Sequence, residues 1–207
     1  MDSIDAIMRA APVIPVLVLD DVARAVSVAR ALVAGGLPVI EVTLRTPAAP
    51  EIIKEMKSVP GALVGAGTVL NARQLDLALR AGAEFIVSPG LTEELSGAAV
   101  RSGIPFLPGT ANSGDIMRGL DLGLRHFKFF PAVASGGVPA LSALASVFRD
   151  VHFCPTGGIT EKTAQAWLAM DPVLCVGGTW LVPNAVPDEV AIEAAARRAA
   201  LLGHGKS

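Results

Sequence analysis

The stretch His126-Phe127-Lys128-Phe129-Phe130-Pro131-Ala132 carries a lysine inside an otherwise apolar segment. Three phenylalanines within four residues, followed by Pro131, predict a buried β-strand. Removing an ammonium group from water costs free energy, so a lysine in such a strand tends to lose its proton. Because a neutral amine attacks carbonyl carbons, the stretch predicts a buried strand with a nucleophile at Lys128.

The rest of the chain repeats a helix followed by a strand. Five glycines stand two or three residues before predicted strands at spacings of 25, 21, 21 and 20 residues, namely Gly36, Gly61, Gly82, Gly103 and Gly123. One helix and one strand per period is typical of β/α folds. Eight predicted strands therefore indicate a single (β/α)8 TIM barrel over residues 1–207, with an extra N-terminal helix from about Ser3 to Arg9. An open doubly wound sheet is the alternative, but no G-x-G-x-x-G follows the first strand.

The composition argues against several classes of partner. Apolar residues make up 52% of the 207 residues, and the net charge is -2 without a basic cluster, so neither nucleic acid nor an anionic membrane is expected. The acidic N-terminus lacks the layout of a signal peptide, and the uncharged run 129–148 is interrupted by Pro and Gly. The two cysteines, Cys154 and Cys175, lie in apolar runs where free thiols pack well. We expect a cytoplasmic protein.

Side-chain alternation along Val39-Ile40-Glu41-Val42-Thr43-Leu44 separates an apolar face from a polar one. In a barrel covered by helices the apolar face points outward, so Glu41 and Arg45 point inward, with Arg45 nearer the carboxyl-terminal mouth. The same alternation places Lys128 and Phe130 inside. A buried Glu41–Lys128 pair could merely hold the sheet together, but buried ion pairs stabilise weakly compared with apolar packing. The pattern therefore favours a functional role.

Each of the three polar side chains suits one part of an imine-based reaction. Lys128 would condense with a ketone to form an imine whose protonated nitrogen withdraws electrons from the neighbouring carbons. Glu41 would transfer protons, since the sequence contains no tyrosine that could do so. Arg45 would bind a carboxylate through two parallel hydrogen bonds.

Glycine-rich segments after the last two strands resemble anion sites. Thr156-Gly157-Gly158 follows the seventh strand and Gly177-Gly178-Thr179 the eighth, the positions where such barrels often bind phosphate. Either pair of glycines could instead be a simple turn. Gly65-Ala66-Gly67-Thr68 has two readings, room inside the barrel or a hydroxyl donor at Thr68. Pro89 could line the pocket or only form a turn.

The histidines do not predict a catalytic metal. His126, His152 and His204 show neither H-x-H nor H-x-x-x-H spacing. His126 and His152 begin predicted strands, which places them at the end of the barrel opposite the expected chemistry. We expect no catalytic metal and no cofactor.

Six short segments stand in order along the chain: Glu41-Val42-Thr43-Leu44-Arg45-Thr46, Val64-Gly65-Ala66-Gly67-Thr68-Val69-Leu70, Ser88-Pro89-Gly90-Leu91-Thr92, Phe127-Lys128-Phe129-Phe130-Pro131-Ala132, Phe153-Cys154-Pro155-Thr156-Gly157-Gly158-Ile159 and Gly177-Gly178-Thr179-Trp180. Together they closely resemble the bacterial 2-keto-3-deoxy-6-phosphogluconate (KDPG) aldolases. The resemblance implies a class I aldolase of the Entner–Doudoroff pathway. Such an enzyme is a homotrimer of (β/α)8 barrels that cleaves the phosphorylated keto acid to pyruvate and glyceraldehyde 3-phosphate.

The resemblance also implies a role for each site residue. By that likeness Lys128 is the Schiff-base lysine and Glu41 the general acid/base. The remaining assignments are Arg45 and Thr68 for the pyruvate carboxylate, Pro89 and Phe130 for the pocket wall, and Thr156, Gly157, Gly158, Gly178 and Thr179 for the phosphate.

Four positions depart from the family pattern. Val133 stands where glutamate is common, which puts the aldehyde-side preference in question. Thr110 is polar where an apolar residue is expected, and it could change the pocket. Thr179 replaces a usual serine but keeps the hydroxyl, and Ala48 occupies a place often held by cysteine.

Two rival functions stay open on the sequence. The first is a phosphosugar isomerase or epimerase on the same barrel, with Glu41 as base and Lys128 only as a charged hydrogen-bond donor. The second is a catalytically inactive homologue that binds a ligand or forms a shell. Within the aldolase reading, 4-hydroxy-2-oxoglutarate, which carries no phosphate, is a further candidate substrate.

Overall fold

The computed structural model describes residues 3–182 and 188–203 of the chain. The strands in these residues are β1 (Val13–Leu17), β2 (Val39–Thr43), β3 (Leu63–Gly67), β4 (Ile86–Val87), β5 (Phe106–Leu107), β6 (Gly109–Thr110), β7 (His126–Phe129), β8 (His152–Pro155) and β9 (Val176–Gly178). The α-helices are α1 (Ile4–Arg9), α2 (Ala25–Ala34), α3 (Ala49–Lys57), α4 (Ala72–Arg80), α5 (Glu93–Ser102), α6 (Ser113–Asp121), α7 (Gly137–Val147), α8 (Glu161–Leu168) and α9 (Glu189–Ala200).

The described strands pair in parallel but do not close into one barrel. Ladder hydrogen bonds join six of them in the order β5-β4-β3-β2-β1-β9 and the other three in the order β6-β7-β8. The prediction of a closed eight-stranded (β/α)8 barrel is therefore wrong. The chain forms a six-stranded and a three-stranded parallel sheet, with helices between successive strands except between β5 and β6.

The two sheets separate inside Pro105-Phe106-Leu107-Pro108-Gly109, which the sequence predicts to be a single strand, the fifth. Pro108 stands between β5 and β6, and a proline has no amide hydrogen with which to continue a ladder. Its carbonyl accepts a hydrogen bond from the Lys128 amide at 2.8 Å, and from there the chain pairs with β7 instead of β4. Near the other edge, isolated bridges such as Thr156 to Gly177 join the chain without forming a continuous ladder.

The glycines of the sequence repeat share one conformation. All five have positive φ angles, between 71° and 91°, and each follows one of the helices α2 to α6. A left-handed residue ends a helix and turns the chain, and only glycine adopts this conformation without a steric cost. The regular spacing in the sequence is thus the spacing of helix ends.

Apolar side chains fill two layers on opposite faces of the strands. The larger layer lies between the strands and the helices and includes Phe127 and Phe129. A smaller inner layer includes Cys154 and Cys175, and two side chains of α1 complete it at the amino ends of the strands. Both cysteines are free and buried, as the sequence predicted.

The helices of residues 3–182 and 188–203 are too short or too polar for any of them to span a membrane.

Candidate active site

Lys128 and Glu41 are in contact on the inner face of the strands. Lys128 lies in β7 between two phenylalanines that pack against the helices, so strand alternation directs the lysine inward. Glu41 lies in β2, and its Oε1 accepts a hydrogen bond from Lys128 Nζ at 3.3 Å. The exposed fractions are only 5% for Lys128 and 3% for Glu41. The described structure therefore brings together the two groups that strand parity placed on one face.

Gly67 makes the room in which the Glu41 carboxylate lies. It pairs with Thr43 at the end of β3, and a Cβ added to it would overlap the Glu41 carboxylate. A Cβ at Gly65 would likewise overlap the ring of Phe85. The glycines of Gly65-Ala66-Gly67-Thr68 therefore make room for neighbouring side chains, which is one of the two interpretations that the sequence left open. Sequence reasoning missed the link from Gly67 to Glu41 because their contact crosses between neighbouring strands.

A cavity of about 180 Å³ opens beside the lysine at the carboxyl ends of the strands. Its walls come from β1, β2, β7, β8 and β9 and from the segments that follow them. The lining residues are Val16, Arg45, Lys128, Phe130, Thr156, Gly157, Gly158, Ile159, Gly177 and Thr179. Glu41 is not among them, although its carboxylate contacts Lys128.

Seven residues named from the sequence meet at this cavity: Arg45, Lys128, Phe130, Thr156, Gly157, Gly158 and Thr179. The Phe130 ring centroid lies 5.3 Å from Lys128 Nζ, so the ring covers the amine. Arg45 is exposed and lies two residues beyond the end of β2, where its guanidinium can reach the mouth. Sequence reasoning missed Val16 and Ile159, which are apolar and carry no chemical signature, whereas Gly177 belongs to the predicted anion segment Gly177-Gly178-Thr179.

Three other predicted residues do not line this cavity. Thr68 follows β3 and has a φ of 56°, a left-handed conformation that is rare and costly for a β-branched residue. Pro89 follows β4, and its backbone lies so close to Gly109 that a Cβ there would overlap it. Gly178 is buried, and a Cβ on it would overlap the ring of Trp180.

The Thr156–Gly158 segment forms a tight turn at the cavity wall. Gly157 and Gly158 have φ angles of 104° and 78°, so two consecutive residues occupy a region that side chains with a Cβ avoid. The Val133 amide donates a hydrogen bond to the Gly157 carbonyl at 3.1 Å and fixes the turn from outside. The bare backbone of the two glycines lets an anion approach closely.

A family model described as KDPG and KHG aldolase matches residues 4–195 of the chain. The chain belongs to this aldolase family. The 2-dehydro-3-deoxy-phosphogluconate aldolase of Zymomonas mobilis is 60% identical over 199 residues, which cover 96% of each chain.

Solved structures of KDPG aldolases agree closely with this chain. The Zymomonas mobilis ZM4 enzyme with 3-phosphoglycerate has a TM-score of 0.95 at 60% identity, covering 96% of this chain and 95% of that one. The Legionella pneumophila KDPG aldolase, with pyruvate captured at low pH as a covalent carbinolamine intermediate, has a TM-score of 0.93 at 43% identity. That match covers 96% of this chain and 98% of that one. The family predicted from the six motifs is thus confirmed, and with it the aldolase, or carbon–carbon lyase, activity.

The departures at Thr110 and Val133 lie in different surroundings. Thr110 pairs in register with Phe129 and not with Lys128, so it faces away from the cavity. Its buried hydroxyl has no hydrogen-bond partner among residues 3–182 and 188–203. Val133 is 51% exposed and packs beside Gly158. Of the two departures, only Val133 therefore lies beside the aldolase cavity.

Two of the histidines, His126 and His152, lie away from the cavity. His126 and His152 are the first residues of β7 and β8, at the amino ends of these strands, as the sequence predicted. His204 lies outside the described residues.

Proposed function

We propose that the protein cleaves 2-keto-3-deoxy-6-phosphogluconate to pyruvate and glyceraldehyde 3-phosphate through a Schiff base on Lys128. The contact between the Lys128 amine and the Glu41 carboxylate, beside an open cavity, carries this proposal. The name of the 60% identical relative supports the substrate. A carbinolamine is the product of amine addition to a ketone, so the Legionella complex supports the same first step here.

The first half of the reaction forms the imine. The Lys128 nitrogen attacks the C2 carbonyl of the keto acid, and the new C–N bond gives a carbinolamine. Glu41, whose Oε1 lies 3.3 Å from the Lys128 nitrogen, takes one proton from the ammonium form of the lysine before the attack. It then passes that proton to the departing hydroxyl, and one water leaves. The product is a protonated imine, which withdraws electrons from C3.

The second half breaks the carbon–carbon bond. Glu41 takes the proton of the C4 hydroxyl, the C3–C4 bond breaks, and its electron pair moves through C3 toward the imine nitrogen. Glyceraldehyde 3-phosphate leaves, and an enamine of pyruvate remains on Lys128. Glu41 returns its proton to C3 of the enamine. One water then hydrolyses the imine and releases pyruvate, so the water consumed here balances the water released when the imine formed.

The carboxylate end of the substrate is bound by Arg45. Its guanidinium lines the cavity and can form two parallel hydrogen bonds to a carboxylate. Thr68 adds a hydroxyl from the end of β3, next to the end of β2, and Phe130 and Pro89 provide apolar surface. The positions of Thr68 and Pro89 outside the lining of the cavity mean that both assignments rest on the family resemblance.

The phosphate is bound by backbone amides and hydroxyls at the other side of the cavity. The turn Thr156–Gly158 and the segment Gly178–Thr179 supply them, and the two positive φ angles keep the glycine backbone accessible. The solved Zymomonas structure with 3-phosphoglycerate supports a phosphorylated ligand.

Borohydride reduction tests the nucleophile. Purified protein is incubated with pyruvate and sodium borohydride, and the adduct is located by peptide mass spectrometry. We expect one reduced pyruvyl group per chain, on Lys128, and loss of turnover in proportion to labelling. The variant Lys128→Met should accept no adduct and should lose aldol cleavage by at least about 10³-fold.

The matched control is Lys54→Met on α3, whose lysine is exposed and paired with Glu51. It should label and turn over like the wild type. An active enzyme that pyruvate and borohydride leave unlabelled would overturn the Schiff-base mechanism and favour the isomerase-like use of Glu41.

A second substrate class is favoured by the family description, which names KHG beside KDPG. We propose that 4-hydroxy-2-oxoglutarate is cleaved by the same residues, because imine chemistry at C2 needs no phosphate. The ratio of kcat/KM for the two substrates measures how much the phosphate contributes. Absence of pyruvate release from 4-hydroxy-2-oxoglutarate would contradict this proposal and leave KDPG cleavage intact.

A homotrimer, a cytoplasmic location and a single domain over residues 1–207 complete the proposal. The trimer rests on resemblance alone, and light scattering of the purified protein tests it. A molar mass about three times that of the 21.2 kDa chain is expected, and a monomer at assay concentration would contradict it.

A further inference from the structure

A group of metal-binding side chains lies at the amino ends of the strands, opposite the end that carries the cavity. His126 begins β7 and His152 begins β8, and the two residues pair in register. Asp5 lies in α1, and its Oδ1 is 2.9 Å from His126 Nε2. One ligand atom from each of these three residues lies within 4.8 Å of the other two.

One of the three side chains has a ligand atom that forms no hydrogen bond in the described structure. His152 Nδ1 is buried and forms no hydrogen bond within the described residues. Arg9 Nε donates to Asp5 Oδ2 at 2.8 Å, which orients the carboxylate with its Oδ1 toward His126.

We propose that Asp5, His126 and His152 form a binding site for one divalent transition-metal cation of the Zn²⁺, Co²⁺ and Ni²⁺ class. Two imidazole nitrogens and one carboxylate oxygen are a donor set that these ions accept. Tetrahedral coordination at about 2.0–2.1 Å requires donors roughly 3.3 Å apart. The distance from Asp5 Oδ1 to His126 Nε2 is 2.9 Å, and all three ligand atoms lie within 4.8 Å of one another, so their spacings span the value that coordination requires.

The remaining coordination position is open to water, because the Asp5 side chain is 39% exposed. The positive charge of Arg9 faces the same carboxylate and lowers the affinity for a cation. The site is separate from the aldol chemistry: Lys128 lies two residues further along β7, roughly 7 Å away. A bound ion would fasten α1 to the first residues of β7 and β8 and stabilise the folded chain.

Cobalt binding tests the site. Tag-free, metal-free protein is titrated with Co²⁺ and followed by visible absorption, equilibrium dialysis and thermal unfolding. We expect one Co²⁺ per chain, ligand-field bands without thiolate charge transfer, and a midpoint of unfolding raised by about 5 °C at a hundredfold excess over Kd. Thiolate bands would instead place the ion on Cys154 and Cys175 and overturn the assignment.

Three variants separate a built site from adventitious binding. His152→Gln and Asp5→Asn should each weaken Co²⁺ binding about 100-fold and abolish the thermal shift, while aldol cleavage and circular dichroism stay as in the wild type. Asp76→Asn, which removes an exposed carboxylate from α4, should bind like the wild type. Wild-type binding no tighter than that of His152→Gln, or equal loss in Asp76→Asn, would refute the site.

Discussion

At the scale of the residue, the Glu41–Lys128 contact is the feature that the family reaction explains. Taking two charged groups out of water costs about as much as their attraction returns, so a buried ion pair stabilises a fold little. The same contact places a proton carrier 3.3 Å from the amine that must gain and lose protons. We therefore expect changes at Glu41 to alter the rate of reaction more than the stability.

Glu41→Gln tests the proton carrier. The amide keeps the shape and can still accept a hydrogen bond from Lys128, but it cannot shuttle a proton. We expect kcat for cleavage to fall by about 10²-fold or more, while borohydride and pyruvate still label Lys128 at a reduced rate. Steady-state pyruvate release and mass spectrometry give the two measurements. A kcat within twofold of the wild type would transfer the proton-carrier role to another group.

Thr110→Val tests a buried hydroxyl that has no partner. The Thr110 side chain is 98% buried, and its Oγ1 forms no hydrogen bond in the described structure. Valine has the same shape without the polar atom, so the free energy of unfolding should rise by about 1 kcal/mol. Because Thr110 faces away from the cavity, kcat/KM should be unchanged. Urea unfolding and steady-state kinetics measure both quantities.

The control for this change is Thr43→Val, whose hydroxyl donates to the Leu17 carbonyl at 2.8 Å. That variant should lose about 1 kcal/mol instead of gaining it. Equal effects of the two substitutions would mean that the Thr110 hydroxyl is satisfied in solution.

At the scale of the element, β3 has a glycine, Gly67, at the point where the Glu41 side chain of β2 needs space. Gly67→Ala places a methyl group against the Glu41 carboxylate, which must then move from its position beside Lys128. A displacement of about 1 Å in a catalytic group costs roughly 10²-fold in rate, so kcat should fall by 10- to 100-fold. The measurement is cleavage kinetics on folded protein, verified by circular dichroism.

Gly97→Ala in α5 is the matched control, because the added methyl group meets only the end of the Arg101 side chain. It should keep wild-type kinetics and gain slightly in stability, since alanine favours the helix. If Gly67→Ala also keeps full activity, the position of Glu41 does not depend on the bare backbone of β3.

At the scale of the whole molecule, the inner apolar layer holds a thiol that should make stability depend on alkaline pH. A hydrogen bond with Cys154 and complete burial raise the pKa of Cys175 well above its usual range. The unfolded thiol ionises near pH 8.5, whereas the folded one stays protonated. The unfolded state alone therefore releases a proton, and this contribution to stability is complete below about pH 8 and lost as the pH rises above about 9.

Urea unfolding at pH 7.5, 9 and 10 measures this loss. As the pH rises, the free energy of unfolding of the wild type should fall by up to about 1.4 kcal/mol per pH unit more than that of Cys175→Ala. The variant has no thiol to titrate at this position. The variant is less stable at every pH because of its cavity, so the slopes are compared and not the absolute values. Parallel slopes would mean that Cys175 ionises equally in both states.

Local patterns in the sequence predicted much of the fold because they are set by neighbouring residues. The Phe127–Phe129 pair marks the face of β7 that packs on the helices, and thereby the inward direction of Lys128. The five spaced glycines mark helix ends because positive φ is required there. The segments quoted around Glu41 and Lys128 located β2 and β7, the two strands that carry this pair.

The structure brings together some of the predicted site residues and not others. Arg45, Lys128 and Thr156 line one cavity, whereas Thr68, Pro89 and Gly178 lie outside its lining. Two of the residues that complete the wall, Val16 and Ile159, carry no reactive group, so no pattern in the chain singles them out. Their contribution depends on which strand ends lie side by side.

The sequence by itself determined which residues can react, which way each points from its strand, and where helices end, because these depend on side-chain type and local backbone preference. Only the tertiary structure decided that the strands form two sheets and not one closed barrel. That outcome depends on hydrogen bonds between distant segments, where Pro108 cannot donate and β8 meets its neighbour through isolated bridges. The tertiary structure also decided two contacts between elements. Gly67 and Glu41 meet across neighbouring strands, and Asp5 of a helix meets His126 and His152 of two strands.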